Sequence, residues 1–109
     1  MPAYQDSLSI LDAEPDRQDV LLGLEDLARH GQLCDAGAAS ALDEARRRYA
    51  GQGLFELVDR LFDIEIAGTT DLDRLADLTF AKGKVLLEEA LDEVRAMACF
   101  RRVLDLRPE

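Results

Sequence analysis

The chain has 109 residues, 48% of them apolar and 33% charged, with 23 acidic against 13 basic side chains and a formal charge of −10. That apolar fraction argues against a disordered chain, and the length suits one domain, residues 1–109, with a modest core. The negative field argues against nonspecific nucleic-acid or membrane-surface binding, and no run of about 18 apolar residues exists to cross a bilayer.

Residues 3–12 carry Tyr4, Leu8 and Leu11 at helical spacing, and Pro15 stops that helix. Asp16 is placed to cap a second helix over 17–30, with a stripe of Val20, Leu21, Leu24, Leu27 and Ala28. His30-Gly31 closes it. A third, alanine-rich helix spans 35–50, its inner face Ala38, Ala41, Leu42, Ala45 and Tyr49. After Gly51-Gln52-Gly53, a fourth covers 54–66 with Leu54, Leu57, Val58, Leu61, Phe62, Ile64 and Ile66.

Gly68-Thr69-Thr70-Asp71 reads as a turn in which Thr70 or Asp71 caps a fifth helix, 72–90. Its stripe is Leu72, Leu75, Ala76, Thr79, Gly83, Leu86, Leu87 and Ala90. A glycine inside a helix costs about 1 kcal/mol relative to alanine, so Gly83 predicts a close helix contact. The sixth helix, 92–106, ends before Pro108. The expected fold is all-α, an antiparallel array of about six helices joined by short breaks.

Ala96, Phe100 and Pro108 reproduce the small–aromatic–proline spacing of the second helix of a tetratricopeptide repeat, and Gly83 and Leu86 match its first helix. Thr79 and Lys82 stand where that family has Trp and Leu. Leu22-Gly23 followed by Ala36 echoes Gly83 and Ala96, while Tyr4, Leu8 and Pro15 echo Phe100, Leu104 and Pro108. Residues 72–109 therefore resemble a divergent tetratricopeptide-like hairpin. The resemblance implies a solenoid segment of about three hairpins, part of a longer repeat protein, packed through Gly83, Leu86, Ala96, Phe100, Leu104 and Pro108. Some members grip acidic tails with Lys, Arg and Asn; this chain has no Asn and only Lys82 and Lys84, so that activity is not carried over.

No catalytic constellation is expected, hence no enzyme. His30, the sole histidine, reads as a helix C-terminal cap. Asp71, Asp73 and Asp77 lack the glycine and glutamate of a calcium loop, and Gly51-Gln52-Gly53 lacks the lysine of a phosphate loop. Arg46-Arg47-Arg48 suits the dipole at a helix end. Phe55, Phe62, Phe80 and Phe100 read mainly as core. No cofactor or metal is expected. Cys34 and Cys99, far apart and without a CxxC, read as buried thiols of a reducing compartment or as one disulfide. With no signal peptide at Met1-Pro2-Ala3-Tyr4, the expected location is the cytoplasm. The bias to Arg, Ala and Leu suggests a GC-rich bacterial source.

Glu88, Glu89, Asp92 and Glu93 form an acidic cluster that reads either as a solvated corner or as a dock for a basic segment. The leading function is a protein–protein interaction or scaffold module binding a basic or amphipathic partner protein or peptide. The alternatives are a dedicated chaperone or inhibitor masking one partner's basic or apolar surface, and a regulatory segment of a larger enzyme. Val103, Leu104 and Leu106 on the last helix also suggest self-association through it.

Overall fold

The computed structural model describes residues 3–33 and 35–107. Among them the fold is all-α, with six helices: α1 Ala3–Ala13, α2 Gln18–Arg29, α3 Ala36–Gly51, α4 Phe55–Ala67, α5 Leu72–Glu88 and α6 Glu93–Leu106. The expected breaks hold within one or two residues. Pro108 and Cys34 lie outside the described residues. The chain divides into two units, Met1–Gly68 and Thr69–Glu109.

In the first unit each apolar stripe turns inward. Leu11, Leu24, Leu42, Tyr49 and Leu61 are fully buried, together with Ala38 and Ala45. Helix α1 packs on α2 and on α3, and α4 packs on α2 and on α3. Tyr4 lies beside Gly37, and Asp12 bonds Tyr49, so α1 and α3 run parallel. Glu25 pairs with Arg60, and Ala28 crowds Gly68, so α2 and α4 also run parallel. Two antiparallel hairpins thus lie side by side in the same orientation. The small side chains of α3 permit that close approach.

Local chemistry sets the ends. Asp35 caps α3 by accepting from the Ala38 N–H at 2.7 Å, and Asp71 caps α5 by accepting from the Asp73 N–H at 2.9 Å. Asp16 does not cap α2, contrary to the sequence expectation. Arg17 holds that position, because its N–H bonds the Glu14 carbonyl in the preceding turn. Its guanidinium instead bridges Glu14 and Asp19 and holds the Asp19 carboxyl down to about 2. His30 is the C-cap residue of α2, and its Nδ1 lies 2.7 Å from the Asp26 carbonyl.

Two polar features stabilise the first core. Arg46, the first of the three consecutive arginines, turns into the core. It is 5% exposed, and its Nε donates to Glu65 Oε2 at 2.6 Å while Nη2 reaches Oε1 at 3.1 Å. The guanidinium also lies 4.3 Å from the centre of the Phe62 ring. Tyr49 donates to Asp12 Oδ1 at 2.8 Å, and Arg48 donates to the same carboxylate at 3.1 Å. Arg47 pairs with Asp43 at 2.9 Å. Phe62 is buried and Phe55 half-buried.

The second unit is the antiparallel hairpin α5–α6. Its helices meet where Gly83 faces Cys99 and Phe100. Leu86 and Ala96 are buried beside them. At the open end Arg107 reaches Asp77 at 3.1 Å and the Asp73 carbonyl at 3.1 Å. At the closed end Asp92 donates its N–H to the Leu86 carbonyl at 2.7 Å, which ends α5 two residues before the expected boundary. Leu91, in that turn, has φ +56°.

Candidate protein-docking face

A two-helix hairpin can cover only one stripe of each helix. In α6 Ala96 alone is buried, and α5 buries Ala76, Leu78, Thr79, Gly83 and Leu86. Thr79 satisfies its hydroxyl by donating to the Leu75 carbonyl at 2.7 Å. Leu75, Val85, Phe100, Val103 and Leu106 are half-buried, and several other apolar side chains stay in water. Val94 is 83% exposed, Leu91 78%, Leu104 60%, Met97 51% and Phe80 49%.

Leu104 was expected in the hairpin's packing set. It lies outside because α6 turns about 100° per residue. Ala96, Phe100 and Val103 fall on the line facing α5, and position 104 sits on their flank. Phe80, expected in the core, is exposed on the corresponding flank of α5. Its ring nevertheless meets Phe100, centroids 5.8 Å apart and planes tilted by 51°. Phe80 and Leu87 on α5, with Met97 and Leu104 on α6, therefore flank one junction.

The exposed residues of α6 have their own order. Val94, Met97, Arg101 and Leu104 are spaced i, i+3, i+7 and i+10. This is the heptad seam a helix uses to receive a second helix. The spacing is plain in the sequence, but the stripe that faces α5 masks it.

The acidic cluster sits at the closed end. Asp92 is committed to capping α6, where it accepts from the Arg95 N–H at 3.1 Å. Glu88, Glu89 and Glu93 are exposed. Glu88 and Glu89 stand at the C-terminal end of α5, where the helix dipole is already negative and no basic side chain lies in the last turn. Leu91 occupies the left-handed backbone region that normally selects glycine. An exposed leucine with that backbone, beside carboxylates at an unfavourable helix end, marks a place where local stability is not optimised.

Residues 69–109 contain nine acidic and seven basic side chains, so most of the −10 charge belongs to the first unit. There all six arginines are ion-paired: Arg17, Arg29, Arg46, Arg47, Arg48 and Arg60. The first unit also has an open cleft of ≈ 560 Å³ between Pro15, Gln18, Leu21, Leu54, Phe55 and Arg60. The Nε of Arg60 is buried there without a hydrogen-bond partner.

No protein-family model matches this sequence. No curated protein and no solved structure is significantly similar to it either. Among the described residues no group of three His, Cys, Asp or Glu side chains is arranged to hold a metal ion. Cys99 is a half-buried thiol. Among the described residues no helix is long and apolar enough to cross a membrane.

Proposed function

We propose that this chain is a protein–protein interaction module of helical-repeat type. The hairpin α5–α6 receives an amphipathic helix or segment of basic character. The observation that carries this reading is the uncovered seam of Val94, Met97, Arg101 and Leu104 beside the exposed carboxylates of Glu88, Glu89 and Glu93.

Burying apolar surface supplies the affinity, at about 25 cal/mol per Å² before the costs of association. The carboxylates select a cationic flank and orient it, since a cation there relieves both their mutual repulsion and the α5 dipole. The side-by-side hairpins of the first unit support the tetratricopeptide-like reading, because such arrays repeat one hairpin in one orientation.

The test is fluorescence anisotropy of a labelled, designed peptide with a leucine stripe flanked by arginines. Saturable binding is expected, lost when glutamates replace the arginines and weakened at least about tenfold by Met97→Glu, a loss of about 1.4 kcal/mol. Equal binding of both peptides, or binding indifferent to Met97→Glu, overturns the proposal.

A further inference from the structure

We infer that the amphipathic helix received by α6 is α6 of a second copy of this chain, laid antiparallel across a two-fold axis that passes between the two seams at the level of position 99. The inference rests on the proposed reading of the hairpin as a helix-docking face.

The required segment chemistry is present in α6 itself. In an antiparallel pair the first seam position of one helix meets the second seam position of the other. Val94 then packs on Leu104 of the second copy, and Met97 packs beside the stem of its Arg101. The symmetry repeats both contacts. In this alignment both aliphatic seam residues, Val94 and Leu104, meet each other, and Arg101 lies over the thioether of Met97 with Glu93 one turn away.

Charge fits the same alignment. Arg101 and Glu93 are both exposed. In the paired arrangement Arg101 of the second copy comes opposite Met97, one turn or about 6 Å along the axis from Glu93. A single cation at a seam position is also a known means of fixing register. The seam is short, only two heptads. Helix α6 is already held by α5 through the Gly83–Phe100 contact, so pairing does not have to form the helix.

Sedimentation velocity of the whole chain from about 1 to about 200 µM tests this, since micromolar affinity corresponds to about −8 kcal/mol. The expected result is a concentration-dependent shift to the mass of two chains. Met97→Glu and Arg101→Glu are each expected to raise the dissociation constant at least about tenfold, with helicity by circular dichroism unchanged. Glu93→Arg combined with Arg101→Glu is expected to restore most of the association. Leu22→Glu, on an exposed position of α2, is expected to leave it intact.

A wild-type chain that stays monomeric at the highest concentration overturns the inference, as does dimerisation indifferent to Met97→Glu. If the monomer still binds the arginine-rich designed peptide, only the identity of the partner fails. If it binds neither, the docking-face reading fails with it.

Discussion

The ring of Phe100 lies so close over Gly83 that a β-carbon at position 83 would stand 2.7 Å from Cε1. Cys99 Cβ would be 3.1 Å away. Gly83→Ala gains helix propensity of about 1 kcal/mol, but overpacking a tight junction costs about 1–3 kcal/mol. The expected outcome is a net loss of about 1 kcal/mol, read by urea unfolding of the chain. Adding Phe100→Leu is expected to recover most of it.

The pair Arg46–Glu65 makes a different prediction. Removing one buried partner strands the other charge, so Arg46→Ala is expected to cost about 3–5 kcal/mol. Replacing both, Arg46→Met with Glu65→Leu, is expected to be within about 1 kcal/mol of wild type. Urea midpoints at constant slope check both.

All six helices and a close helix contact at Gly83 were legible in the sequence, because apolar period, glycine and proline act locally; that Phe100 is the side chain meeting Gly83 was not. Arg46 was read only as part of a basic run at a helix end and Glu65 was not singled out, although both residues carry a positional signal. Arg46 lies four residues from Leu42 on a buried stripe, and Glu65 lies four from Leu61 on another. Opposite charges at stripe positions of two packed helices are a recognisable mark, but their pairing depends on which helices are neighbours. Leu91 left no signal, since nothing in composition announces a leucine where the turn favours glycine. The role of Asp92 was absorbed into its acidic neighbours.

Tyr49 predicts an alkaline weakness. Burial first, and the hydrogen bond to the Asp12 carboxylate second, push its hydroxyl far above the ordinary value of 10.0. A group raised in the folded state contributes fully below its unfolded value and loses that contribution as pH climbs toward the folded one. The melting temperature is therefore expected to fall more steeply above about pH 10 in wild type than in Tyr49→Phe. At pH 7 the same variant is expected to be less stable by about 1–2 kcal/mol, because Asp12 loses a donor.

Leu91→Gly separates stability from binding. A left-handed backbone costs a residue with a β-carbon roughly 1–2 kcal/mol, part of which glycine returns as chain entropy. The hairpin is expected to gain about 0.5–1 kcal/mol, seen as slower amide exchange in α5 and α6. Affinity for the arginine-rich peptide is expected to drop, because an apolar contact at the acidic corner is removed.

The most direct test follows backbone amide resonances of the whole chain during titration with the arginine-rich amphipathic peptide. Saturable shifts confined to the hairpin, centred on Leu87, Leu91, Val94, Met97 and Leu104, are predicted. Shifts concentrated in residues 3–68, or none that saturate, would contradict the account.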